Sequence, residues 1–280
     1  MVKALRTDAE LRRRIAKWRR KGRRIAFVPT MGALHEGHLS LVEIALQHAD
    51  RVVASIYVNP TQFGEGEDLA AYPRDEAADL DKLASVGCHA AYLPEALYSD
   101  DHSTRVEVDG FAGDLEGEHR PGHFEGVALV LTKLFNRVAP DVAVFGEKDF
   151  QQLALVRRLV ADLDFPIEVI GAPIARDEAG LALSSRNRYF DDTQLEIARR
   201  LNVRMREAVS AIGEGTAPQD AIAEATAAIV ADGFDGVDYL VLRDADTLSN
   251  VTDATEHARL LTVARLKGVR LLDNMAVELP

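Results

Sequence analysis

"RIAFVPTMGALHEGHLSLVEIALQHADRVVASIYV", residues 24–58, decides the fold. "RIAFVPT" is an apolar run of strand length, a helix follows from about Gly37 to His48, and "RVVASIYV" is a second apolar strand. Near-continuous apolar strands separated by a helix indicate parallel strands covered on both faces. The same alternation runs on through the helix "PRDEAADLDKLASVG", the short strand "HAAYLP", a candidate strand "STRVEVD", and the helix "FEGVALVLTKLFNRV". It ends with the strand "DVAVFG", the helix "DFQQLALVRRLVADL" and the strand "PIEVI".

The expected fold is therefore α/β: a Rossmann-like parallel sheet with helices on both faces, spanning residues 1–170. From Gly171 the pattern changes to a polar, loop-like stretch and then two helical segments near 192–213 and 218–232. Three strand patterns, "VDYLVLR", "ARLLTVARL" and "VRLLDNM", close the chain. Residues 171–280 are expected to form a smaller α+β domain. No internal repeat or low-complexity tract interrupts the pattern.

The composition narrows the function classes. Of 280 residues, 47% are hydrophobic and 28% charged, enough apolar material for a sizeable core. No apolar run approaches the ~18–20 residues of a membrane span, so no membrane partner is expected. A single cysteine, Cys88, excludes an internal disulfide and fits a reducing, cytoplasmic setting. Eleven Lys/Arg against Asp8 and Glu10 give residues 1–24 a charge of +9, so within the overall −12 the remainder carries −21. So acidic a body argues against nucleic acid as a partner. Leu11, Ile15 and Trp18 recur at helical spacing, and the basic segment is expected to be a surface helix.

Ligands of parallel α/β sheets lie at the carboxyl ends of the strands, where His35, Asn59 and Gly146 are expected. Neither a P-loop nor a G-x-G-x-x-G fingerprint is present. His35 and His38 flank the start of a helix, whose unpaired N–H groups and positive dipole favour an anion. Phosphate binding, metal ligation and simple capping all fit this pair. His119 and His123 resemble a second pair, but Pro121 and Gly122 break the helix that would align them for a metal.

"FGEKDFQQL" (145–153) repeats the logic, placing Lys148 and Asp149 at a helix start, with Gln152 one turn on. A lysine there is unfavourable unless an anion sits beside it; a solvated lysine is the plain alternative. "LALSSRN" (181–187) offers two hydroxyls and a guanidinium suited to phosphate. A serine nucleophile is the rival, but no G-x-S-x-G elbow surrounds it. "NPTQF" (59–63) supplies amides that suit hydroxyls or a carboxylate, or an ordinary turn. "RPGHF" (120–124) adds Arg120 on a glycine-containing loop. Five segments with cationic or amide groups are thus expected at one end of one sheet.

"PTMGALHEGHLSLV", "VNPTQF", "RPGHFEGV", "FGEKDFQQL" and "LSSRN" stand in the order, and with nearly the spacing, of the pantothenate synthetase (pantoate–β-alanine ligase) family. The C-terminal "RDADTL" and "RLLDNM" also resemble it, so the likeness covers essentially the whole chain. "HEGH" is similar to the His-x-Gly-His signature of the wider nucleotidylyltransferase superfamily, and "LSSRN" to its second, mobile phosphate-binding loop. The stretch between Tyr98 and "VEVDG" looks shorter than in some relatives, and Glu125 follows "GHF" where other residues are common.

The resemblance implies two half-reactions: pantoate and ATP give a pantoyl-adenylate and pyrophosphate, and β-alanine then gives pantothenate and AMP. It implies that His35, His38, Lys148, Ser184, Ser185 and Arg186 stabilise the phosphates. Gly146, Asp149 and Arg120 complete the ATP site, with Asp149 at the ribose and Arg120 closing over the phosphates. Met31, Gln62, Gln152 and Asn59 are implied for pantoate. Mg²⁺ would bridge phosphate oxygens, with Asp79 as its protein contact. The resemblance also implies a homodimer.

Overall fold

The computed structural model describes residues 2–111 and 113–279. They divide into two compact units, one of Met1–Glu147 with Gln151–Pro173, the other of Lys148–Phe150 with Ile174–Pro280.

The first unit is built on six parallel strands: β1 (Lys3–Leu5), β2 (Ile25–Thr30), β3 (Arg51–Ile56), β4 (Ala90–Tyr92), β5 (Val142–Gly146) and β6 (Glu168–Ala172). Their order is β1-β4-β3-β2-β5-β6, so the winding reverses between β2 and β5. Ligand crevices in open α/β sheets form at that reversal, beyond the carboxyl ends of the strands. Helices are α1 (Asp8–Arg19), α2 (Glu36–His48), α3 (Glu76–Ser85), α4 (Glu116–His119), α5 (His123–Val138) and α6 (Phe150–Asp162).

Both faces of this sheet are buried, and the two-residue period of β2 divides its side chains between them. Ile25 and Phe27 pack with residues of α1, α5 and α6, whereas Ala26 and Val28 pack with residues of α2 and α3. The basic start of the chain is the expected helix. Thr7 and Glu10 form a capping box at its head, and Leu11, Ile15 and Trp18 are its buried face. Each such side chain contributes about 1.5–3 kcal/mol on burial.

"STRVEVD" forms no strand. β1, too short to read from the sequence, occupies the edge beside β4. Val106 and Val108 instead lie against the core as partly buried side chains, without ladder hydrogen bonds.

In the second unit, β7 (Gly236–Asp244), β8 (Ala258–Leu266) and β9 (Val269–Val277) form an antiparallel meander. Helices α7 (Asp192–Gly213) and α8 (Pro218–Ala231) share its apolar core. β8 and β9 are joined by Lys267 and Gly268, both at positive φ (50° and 76°), as a two-residue hairpin turn requires. Among the described residues no helix is long and apolar enough to cross a membrane.

Candidate active site

In the first unit the loop after β2 carries Met31 to His35. Gly32 has φ +86°, and a Cβ there would lie 2.9 Å from Asp79 Oδ2 and 3.1 Å from Ile56 Cγ2. Ala33 also has a positive φ, 51°. This left-handed pair is held by Asp79, whose two oxygens accept the N–H groups of Ala33 (2.9 Å) and Leu34 (2.8 Å). Asp79 is 2% exposed, so the strained turn is fixed from inside the fold.

The turn delivers His35 to the head of α2. His35 Nδ1 accepts from Gly37 N (3.2 Å), and His38 Nδ1 accepts from His35 N (3.3 Å). This is a capping box made of two imidazoles, with ring centroids 4.1 Å apart. An Nδ1 that accepts leaves the ring proton on Nε2, so the hydrogen bonds assign both rings as Nε2–H donors. Donors beside the positive end of a helix suit an anion.

Beyond β3, Asn59 is 1% exposed and makes four internal hydrogen bonds. Its amide nitrogen donates to Gln62 Oε1 and Gly126 O, both at 3.1 Å. Its carbonyl oxygen accepts from Thr61 Oγ1 (3.0 Å) and Tyr98 OH (2.8 Å). Gln62 Nε2 in turn reaches Met31 Sδ at 3.3 Å. Met31, Gln62 and Asn59 are therefore brought together, with Asn59 buried and bonded within the scaffold.

Helix α5 supports this loop at close range. A Cβ on Gly126 would lie 2.2 Å from Thr61 O and 2.6 Å from Gln62 N, both backbone atoms. His123 Nδ1 lies 2.8 Å from Gln62 O and its Nε2 3.0 Å from Arg120 Nη1. A carbonyl only accepts and a guanidinium only donates, so His123 is the Nδ1–H tautomer. Burial, and next the Arg120 charge, push its pKa down to about 4.

Arg120 is itself held by Glu67 through two hydrogen bonds, Nε–Oε1 at 2.8 Å and Nη2–Oε2 at 2.7 Å. Burial pushes the Glu67 carboxyl up, but the bonds and charge of Arg120 outweigh it and leave the pKa below the usual range. Arg120 Nη2 also approaches Gln62 O at 3.4 Å. Gln152 is half-buried on the first turn of α6. Its neighbour Gln151 is 6% exposed and serves the scaffold, accepting from Glu116 N and donating to Asp114 O, each at 3.0 Å. Gly146 ends β5, at the reversal point of the sheet. Cys88 is buried, which pushes its thiol up to about 11 and makes it a packing group, not a nucleophile.

In the second unit, Lys148 Nζ lies 3.7 Å from Asp149 Oδ2, and the Lys148 carbonyl accepts from Asn274 Nδ2 at 2.9 Å. Ser184 caps the 3-10 turn Ser185–Tyr189, its Oγ accepting from Arg186 N at 3.3 Å. That leaves the Ser184 hydroxyl its own proton to donate. Among the described residues, no three His, Cys, Asp or Glu side chains cluster as a metal site.

Glu67 carries no signal in the sequence. Thr61, Gln151 and Gly126 stand only inside motifs, Tyr98 only as the bound of a shortened loop, and His123 only as half of a pair with His119. Their roles rest largely on contacts with distant parts of the chain.

The family model described as pantoate-beta-alanine ligase matches residues 3–276. The pantothenate synthetase of Sphingopyxis alaskensis is 50% identical over 278 residues, covering 99% of this chain and 100% of that one. A crystal structure of pantothenate synthetase from Thermus thermophilus matches with TM-score 0.92 and 42% identity, over 98% of this chain and 99% of the other. A pantoate-beta-alanine ligase structure from Francisella tularensis, complexed with beta-gamma ATP and beta-alanine, matches with TM-score 0.82 and 31% identity, over 98% and 97%.

Proposed function

The chain belongs to the pantoate–β-alanine ligase family, which makes pantothenate from pantoate and β-alanine, and from that premise we propose that it forms pantothenate through a pantoyl-adenylate. A pantoate carboxylate oxygen attacks the α-phosphorus of ATP, a new O–P bond forms, and the bond to pyrophosphate breaks. The β-alanine nitrogen then attacks the acyl carbon, AMP leaves with the oxygen, and the amine gives up a proton. The Francisella relative, bound to an ATP species and β-alanine, supports this choice of substrates.

The observation that carries the reading is the imidazole capping box. It sets two Nε2–H imidazoles at a helix head beyond β2, beside the reversal of the sheet. Groups held in place before reaction need little reorganisation as phosphate charge develops. No side chain has to become covalent, so catalysis is positioning plus charge stabilisation.

In this reading His35, His38, Lys148, Ser184, Ser185 and Arg186 hold the phosphates. Gly146 and Asp149 complete the nucleotide contacts, with Asp149 at the ribose. Met31, Gln62 and Gln152 hold pantoate, and Asn59 orients Gln62. For Arg120 to close over phosphate it has to exchange the Glu67 carboxylate for a phosphate oxygen. Mg²⁺ enters as an ion carried by the nucleotide phosphates, where it would neutralise their charge. The described residues offer it no ligand cluster, and both Asp79 oxygens already accept backbone N–H groups. The proposal extends to a homodimer working in the cytoplasm.

Product analysis tests the reaction. With pantoate, β-alanine, ATP and Mg²⁺, AMP and pantothenate should form in equal amounts. Formation of ADP instead would exclude an adenylate and point to an acyl-phosphate.

A further inference from the structure

Asp273 and Asn274 interrupt an otherwise mainly apolar stretch of β9, and both are buried, at 4% and 2% exposure. Buried polar groups are costly unless bonded, and these two bond to separate segments. Asn274 Nδ2 donates to the Lys148 carbonyl at 2.9 Å. Asp273 accepts two hydrogen bonds from Arg176, at 2.6 and 2.7 Å. Successive strand residues face opposite sides of the sheet, so one dipeptide can serve two partners.

Arg176 opens the hairpin that presents Ser184. It bridges to Ala182, its Nη1 donates to Gly180 O at 3.0 Å, and Leu183 N donates to Ala175 O at 2.9 Å. Ser184 follows directly. The dipeptide is also tied within itself, Asn274 N donating to Asp273 Oδ1 at 2.7 Å.

We propose that Asp273 and Asn274 are positioning residues for phosphate binding. Asn274 sets the backbone under Lys148, and Asp273, through Arg176, sets the segment carrying Ser184, Ser185 and Arg186. This rests on the reading of those residues as phosphate ligands. Two ligand-bearing segments 28 residues or more apart in sequence are thereby referred to one point of β9.

A double-mutant cycle in pantothenate formation tests it. Lys148→Ala should lower kcat by ~10² to 10³. Asn274→Ala should lower it by at least ~10-fold, since small misplacements of a catalytic group are expensive. The double variant should lie within about twofold of Lys148→Ala alone, because Asn274 acts through a side chain already removed. Thermal unfolding checks the fold of each, and Asn274→Leu, which keeps the branched outline without the donor, replaces the alanine variant if that fails to fold. Losses that multiply, or an unchanged rate in Asn274→Leu, would overturn the positioning role while leaving Lys148 as a ligand. A wild-type rate in Lys148→Ala would overturn both.

Discussion

His35 and His38 cap one helix end reciprocally. Each Nδ1 accepts a backbone N–H, from Gly37 and His35 respectively, and the two rings lie 4.1 Å apart. The same bonds that start α2 also fix which nitrogen of each ring carries the proton. Under the proposed function, local folding and phosphate binding would fall to one pair of side chains.

The two roles of His35 separate in His35→Asn. Asparagine is among the best N-caps, so stability should stay within about 1 kcal/mol of wild type. The Nε2–H donor is lost, and kcat should fall by ~10² to 10³. A folded variant with wild-type turnover would leave His35 as a cap alone.

Asp79 holds the Gly32–Ala33 turn through both carboxylate oxygens, and the proposed function leaves Mg²⁺ to the nucleotide. In Asp79→Asn the amide nitrogen would face the N–H of either Ala33 or Leu34, which should cost about 1–3 kcal/mol in urea unfolding. The Mg²⁺ concentration giving half-maximal rate should not change. A large increase in that concentration, with stability intact, would make Asp79 a metal ligand.

Gly126 lets α5 approach the Asn59–Gln62 loop. Gly126→Ala puts a Cβ 2.2 Å from Thr61 O, and backbone must move to admit it. A loss of about 1–3 kcal/mol in stability is expected. The KM for pantoate should rise more than the KM for ATP. Equal changes in both would detach this contact from the proposed pantoate pocket.

His123 makes stability depend on pH. It is faced by Arg120, Glu116 and Glu67, and its pKa falls from 6.5 to about 4, chiefly through burial. The unfolded chain therefore takes up this proton as pH drops below 6.5, whereas the folded chain does so only near 4. Stability from His123 is full above pH 6.5 and is lost between there and 4, by about 3 kcal/mol at ~1.4 kcal/mol per pKa unit. His123→Gln keeps a donor and an acceptor but does not titrate. Denaturant midpoints across that range should fall less steeply in His123→Gln; identical slopes would contradict the assignment.

The sheet was legible because its strands are buried on both faces and read as apolar runs, with "RIAFVPT" the clearest. β1 was not, since Lys3–Leu5 is three residues paired only to β4. Val106 and Val108 alternate like a strand, yet their side chains reach the core without a ladder. The glycine and histidine motifs marked the loops and helix heads where the site is proposed. They did not distinguish ligands from supports, because that depends on partners far along the chain. Asn59 meets Gly126 across 67 positions, and Lys148 meets Asn274 across 126. No local pattern encodes such a bond.

The most direct test of the adenylate is exchange of labelled pyrophosphate into ATP, with Mg²⁺ and pantoate present and β-alanine left out. Exchange that depends on pantoate is the expected result, since only a reversible first half-reaction returns label to ATP. No exchange from folded protein that still binds ATP would contradict the two-step reaction.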